Sequence, residues 1–244
     1  MSEVILMGVP AKPCQPLALS RRMPLPAFAA RMLEAYGPQG WWPLLDHAGR
    51  NPTLTGRLTG YHPGDFTFPH TESQRFEICC GAILTQNTAW TNVEKALVEL
   101  VRAGLLSPRP ILGAAEGALE TAIRSSGYFR AKAKKLRAFA EFYLGQGGRT
   151  PGREALLSVW GIGPETADSI RLYAYGQVEM VIDAYTLRVL RRHGFCRPPL
   201  DYDRAKRYCE QHLPRTLADY QEFHALMVEH AKRLRAAGAP GRAA

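Results

Sequence analysis

One twelve-residue stretch constrains the fold more than any other part of the chain: Leu156-Leu157-Ser158-Val159-Trp160-Gly161-Ile162-Gly163-Pro164-Glu165-Thr166-Ala167. Two helical runs meet there at a Gly-Ile-Gly turn. Gly161 and Gly163 are free to take positive φ and carry no side chain, so the backbone can lie close to another surface. Pro164 suits the first turn of the second helix, whose N–H groups are left free for an anion that the helix dipole also favours. Ile162 points back and pins the two helices. A glycine turn is common in helical proteins, so by itself the motif establishes a hairpin over 153–175 and not yet a use for it.

Helical periodicity runs through most of the rest. Apolar positions recur at helical spacing over about 26–36, 74–85, 90–103, 114–125, 132–144, 184–193, 202–212 and 219–236. Strand-like alternation is nearly absent, which predicts an all-α fold. Residues 1–25 read as an irregular arm, and 48–73, rich in Gly, Pro, Thr and His, as a long loop that is either functional or disordered. No apolar run approaches the ~20 residues that span a bilayer. The opening MSEVILMGVP lacks a basic n-region, so it reads poorly as a signal peptide. Five irregularly spaced cysteines (Cys14, Cys79, Cys80, Cys196, Cys209) match no zinc or iron–sulfur spacing. Buried free thiols in a reduced, cytoplasmic compartment are expected. The charge of +9 and pI near 9.5 favour a polyanionic partner, nucleic acid or an anionic membrane.

Beyond the hairpin the second helix stops at Gly176, and the run Val178–Ile182 leads to Asp183 at the start of another helix. The ordinary role of such an Asp is an N-cap. The hairpin and an Asp eighteen positions after Glu165 together resemble the helix-hairpin-helix glycosylase superfamily, endonuclease III and its relatives. The similarity runs from about Phe76 to Gly194. Ala82-Ile83-Leu84-Thr85-Gln86-Asn87-Thr88 resembles the family segment that enters DNA beside the flipped base. Ser126-Gly127-Tyr128-Phe129-Arg130-Ala131-Lys132-Ala133 resembles its G-(Y/F)-x-x-K-A element. The resemblance implies two helical domains with a DNA cleft between them. A six-helix barrel over 74–178 would carry the hairpin, and a second domain would combine 26–73 with 179–236. It also implies that Asp183 is the catalytic carboxylate. N-glycosidic cleavage builds positive charge on the sugar, which a fixed anion stabilises while it orients or deprotonates water.

Two departures from endonuclease III define the expected sub-class. Bifunctional members carry a nucleophilic Lys where this chain has Glu165, and a carboxylate cannot form an imine. A monofunctional enzyme without AP-lyase activity is therefore expected, with a lysine from elsewhere in the fold as the open alternative. Only Cys196 and Cys209 follow Asp183, too few for the family's four-cysteine iron–sulfur cluster, so no cofactor is expected. The chain is most similar to the cluster-free bacterial 3-methyladenine DNA glycosylases of the endonuclease III type. Trp41-Trp42-Pro43 resembles their W-W-P element, and Trp90 falls at their pocket aromatic. Aromatic faces attract cationic alkylated purines, although core packing is the plain role of any one tryptophan. His224 is a further pocket candidate, and Leu226 takes the place of a family pocket lysine.

For contact with DNA the resemblance and the charges single out Gln86, Gly161, Ile162, Gly163, Thr166, Lys132 and Arg188. Gln86 would fill the gap left by the flipped nucleotide. The basic side chains would neutralise phosphates without reading sequence. A monomer acting in base excision repair on double-stranded DNA containing damaged bases is expected, with no membrane partner. The alternatives are a mismatch or oxidised-base glycosylase, or a non-catalytic helix-hairpin-helix DNA-binding module.

Overall fold

The computed structural model describes residues 23–238 except 54, 116 and 196–198, so most of the arm read over 1–25 lies outside it. Among the described residues there are eleven α-helices and no strand, and the all-α expectation holds. The chain opens with α1 (Leu25–Tyr36), which buries Phe28, Met32 and Tyr36 at helical spacing and ends at Gly37. After a long extended segment, α2 (Glu72–Leu84) starts where the Thr71 hydroxyl accepts the Gln74 N–H. Every residue of α2 from Phe76 onward is buried, including the free thiols of Cys79 and Cys80. α3 (Trp90–Arg102) turns Val93, Ala96, Leu97 and Leu100 inward.

The helix expected over 114–125 divides differently. Within it form α5 (Ala118–Ala122) and a single 3₁₀ turn at Arg124–Ser126, and a further helix, α4 (Pro108–Gly113), precedes them where none was expected. Gly117, with φ +84° just before α5, breaks the run that periodicity alone joins. α6 (Phe129–Gln146) follows Tyr128 in the left-handed region and packs on α4 and α5. The hairpin is α7 (Arg153–Leu157) and α8 (Pro164–Ser169). α8 continues into one wide turn of π-helix at Ile170–Ala174 that packs against both α2 and the last helix.

The remaining helices are α9 (Ala184–His193), α10 (Tyr202–His212) and α11 (Leu217–Ala236). They pack chiefly with one another and with α1. α11 is buried on nearly all sides from Tyr220 to Ala231 and forms the centre of this second group.

Among its described residues the segment expected to be a loop over 48–73 has no regular structure before α2, as expected, and hydrogen bonds tie it and the residues before it in place. Leu44 donates to Gly60 O at 3.0 Å and His62 donates to Gly40 O at 3.0 Å. Three buried carboxylates, one each from α11, α2 and α3, hold backbone N–H groups of the extended segment. Glu222 accepts from Gln39 at 2.8 Å, Glu77 from Leu45 at 2.8 Å, and Glu94 from Arg57 at 2.8 Å. These bonds satisfy donors that an irregular buried backbone would otherwise leave unpaired. The long connection is thereby made into a wall that spans both helix groups.

Candidate active site

One pocket gathers residues from six parts of the chain. Trp41 and Trp42 come from the extended segment and Trp90 from the first residue of α3. Glu165 and Thr166 come from the start of α8, Asp183 from the start of α9, and His224 and Lys232 from α11. Thr85 and Thr88, after α2, complete the wall.

Asp183 is the N-cap of α9, and its Oδ1 accepts the Thr186 N–H at 2.6 Å. Its Oδ2 faces His224 Nε2 at 3.8 Å. The His224 Nδ1 is held by the Tyr173 hydroxyl at 2.8 Å. Burial alone would raise the Asp183 pKa. The facing imidazole and the bond from Thr186 outweigh that and hold it below the ordinary carboxylate range. The carboxylate is thus ionised and fixed in direction.

The tryptophans form a box. Trp42 meets Trp90 edge-to-face at 5.4 Å and Tyr173 at 5.3 Å, and Trp41 meets His224 at 5.5 Å. Trp42 is buried and Trp41 partly so. Trp41 Nε1 and His224 Nε2, on two residues that line the pocket, are buried without a hydrogen-bond partner among the described residues. Pro43 is buried behind the pair and does not line the pocket.

Lys232 is a pocket residue that sequence reasoning missed, having noted only Leu226 at the place of a family pocket lysine. With Leu226 buried in the helix, the lysine reaches the pocket two turns beyond His224. His224, Val228 and Lys232 are spaced by four, the signature of one helix face. Once His224 is assigned to the pocket, that spacing points to Lys232. Its amine donates to the Thr55 hydroxyl at 2.9 Å and lies 6.0 Å from the Trp41 ring centre. Burial lowers its pKa, against the opposing pull of Glu229 and Asp183.

The residues expected to touch DNA divide into two sets. Gly161 turns with φ +84°, its backbone against the Lys135 stem, and Ile162 is buried as the pin between the hairpin helices. Gly163 is different from expectation: with φ −98° it is ordinary extended backbone at the N-cap of α8. Gln86 ties the segment after α2 to the hairpin, donating to Gly161 O at 3.2 Å and to the Thr166 hydroxyl at 2.9 Å while Lys135 holds its Oε1. Thr166 is buried and lines the pocket. Arg188 is exposed on α9, its guanidinium 5.2 Å from the Tyr185 ring.

Lys132 does not reach this surface. It is buried, and its amine donates to Leu84 O at 2.8 Å and Ser126 O at 2.7 Å. Burial lowers its pKa to about 8. It closes the C-terminus of α2, where a cation also meets the negative end of the helix dipole. The charge pattern of Arg130, Lys132, Lys134 and Lys135 concealed this, because helix phase turns Lys132 inward while Arg130 and Lys134 stay exposed.

A helical hairpin, a capped ionised aspartate at the start of the next-but-one helical unit, and an aromatic pocket between them define a class. The HhH-GPD family, described as a superfamily of base excision DNA repair proteins, matches residues 80–215. A provisionally named DNA repair glycosylase of Methanocaldococcus jannaschii is 37% identical over 213 residues, covering 83% of this chain and 84% of that one. Endonuclease III of Thermotoga maritima is 28% identical over 172 residues, 68% of this chain and 76% of that one. Among solved structures, an H. pylori 3-methyladenine DNA glycosylase bound to 1,N6-ethenoadenine aligns with TM-score 0.59 at 24% identity, covering 86% and 94% of the two chains. An endonuclease III–DNA complex aligns with TM-score 0.58 at 24% identity, covering 63% and 72%. The chain belongs to the HhH-GPD superfamily of base excision DNA repair proteins, and its class is DNA glycosylase.

Proposed function

We propose that the chain is a monofunctional DNA N-glycosylase that excises alkylated purines, 3-methyladenine foremost, from double-stranded DNA. The observation that carries this reading is the box of Trp41, Trp42 and Trp90 opening beside the ionised Asp183. A flipped cationic base stacks on aromatic faces. Its sugar would then lie against Asp183, where the charge built up on bond cleavage meets a fixed anion. A methylated base leaves easily, so positioning and one carboxylate suffice. The hairpin and exposed Arg188 supply groups that hold the phosphate backbone.

Absence of AP-lyase activity is part of the proposal, because Glu165 stands where the resemblance puts the nucleophilic lysine. No iron–sulfur cluster is part of it either: four thiolates are required, and Cys79 and Cys80 are buried inside α2. We propose action as a monomer.

Lys232 favours a second reading, excision of an uncharged mismatched or oxidised base, since its ammonium disfavours a cationic guest in the same pocket. One assay separates the readings. Duplexes carrying 3-methyladenine, uracil or thymine opposite guanine, or an oxidised pyrimidine are incubated with the protein, with and without alkali. Release of 3-methyladenine with strand breaks only after alkali supports the first reading. Breaks without alkali would overturn the monofunctional claim, and a borohydride-trapped adduct lost in K232M would make Lys232 the nucleophile. No release from any duplex would leave a DNA-binding module.

A further inference from the structure

We propose that Glu165 is a second catalytic carboxyl, a proton donor that lets this pocket release uncharged bases as well as cationic alkylated ones. The proposal rests on the glycosylase reading of the pocket and adds a substrate class to it.

Two carboxyl groups line the pocket, and their surroundings divide them. Asp183 is committed through the Thr186 N–H and the facing His224. Glu165, in the first turn of α8, makes no side-chain hydrogen bond or ion pair with any described residue, so nothing in the fold uses its carboxyl. The charged groups that act on it are Asp183 from the start of α9 and His224 from α11, and Tyr185, Lys232, Thr166 and Ser169 line the same pocket. Removal from water and repulsion by Asp183 push its pKa up to about 7, against the pull of His224. The residue as a whole stays exposed at the pocket mouth, so solvent relieves part of the burial while the repulsion from Asp183 persists. Two neighbouring carboxyls driven apart in this way are the arrangement of one acid and one anion.

The chemistry gives each a distinct task. When the C1′–N bond breaks, its electron pair stays with the base. A cationic alkylated purine becomes neutral and needs no proton. An uncharged base would depart as an anion, and Glu165 supplies the proton to a ring nitrogen. Water then adds to C1′ against Asp183, and the proton it loses returns to the Glu165 carboxylate. The sum is hydrolysis, with both side chains restored.

The test compares wild-type protein with E165Q, which keeps the size of the side chain but has no proton to transfer. Single-turnover release is measured from pH 5.5 to 8.5 on duplexes carrying 3-methyladenine and on others carrying hypoxanthine or uracil. For uncharged bases, wild-type rates should fall with rising pH as the Glu165 carboxyl, raised above the ordinary glutamate range, ionises. E165Q should lose about 10²–10⁴-fold on those bases and become flat with pH. Release of 3-methyladenine by E165Q should fall by less than release of the uncharged bases and keep the pH dependence of wild type. Equal losses on both base types, with an unchanged melting temperature, would make Glu165 a positioning residue and overturn the proposal. So would wild-type release of 3-methyladenine alone, which leaves the alkylated-purine reading standing. Glu165-dependent release of uncharged bases without 3-methyladenine release would sustain the proposal and remove that reading. No release of any base would remove both.

Discussion

Asp183 combines two demands in one side chain. As an N-cap it holds the first turn of α9, and as an ionised group facing His224 it supplies a fixed anion to the pocket. Asparagine caps a helix as well as aspartate does, so D183N should melt within about 1 kcal/mol of wild type. It should nonetheless lose at least about 10²-fold in single-turnover base release. A variant that retains full activity would remove Asp183 from the chemistry. Arg188 tests the other half of the site. A phosphate contact changes affinity evenly across sequences, so R188A should weaken duplex binding uniformly and reduce the slope of log K against log salt by about 1. An unchanged slope would place Arg188 off the DNA.

At the scale of elements, a buried ion cluster holds the hairpin to the second helix group. Asp168 on α8 is fully buried and accepts from Arg153 Nε at 2.7 Å, Lys206 Nζ at 2.8 Å and the Tyr202 hydroxyl at 2.6 Å. Lys206 also pairs with Glu179, which in turn accepts from Arg171 at 2.9 Å. The cluster lies on the helix that carries Glu165, so it sets where the pocket wall stands. Removing one partner of a buried charge set leaves the others uncompensated. D168A should therefore cost about 3–5 kcal/mol in denaturant unfolding. A loss below about 1 kcal/mol would show that solvent reaches the cluster.

On the scale of the whole molecule, three helices far apart in the chain meet at two histidines. His230 on α11 contacts the Tyr36 hydroxyl of α1 at 2.8 Å through Nδ1 and His193 of α9 at 3.1 Å through Nε2. Burial, with nearby His193, Arg192 and Arg233, lowers the His230 pKa to about 3. The folded state thus binds this proton less readily than the unfolded chain. The stability that neutral His230 contributes is full above about pH 6.5 and is lost as pH falls toward about 3. At pH 5 the loss is about 2 kcal/mol relative to pH 7.5. Glu77 and Glu222, pushed up to about 7 by burial, act with the opposite sign, so the wild-type profile alone does not isolate the histidine. Comparison with H230L does. The stability difference between the two proteins should move by about 2 kcal/mol in favour of the variant between pH 7.5 and 5. A difference constant with pH would mean His230 is already hydrated in the fold.

Helix phase, the Gly-Ile-Gly turn and the capping position of Asp183 are local properties, set by residues within a few places of one another. They were accordingly legible in the chain, with α9 and α10 matching their expected limits. The all-α class and the hairpin follow from the same short-range rules. What the sequence could not determine depends on partners distant along the chain. Three carboxylates from three helices turn the extended segment from an apparent loop into a pocket wall. The carbonyls of Leu84 and Ser126 draw Lys132 inside. Lys232 enters the pocket only because α11 is buried at the centre of its group with His224 toward Asp183. Sequence by itself specified most of the helices, though not the division of 108–126 into α4, α5 and a 3₁₀ turn, and which carboxylate begins α9. Tertiary structure alone decided which charges face the pocket, because burial and pairing depend on neighbours that local periodicity does not encode.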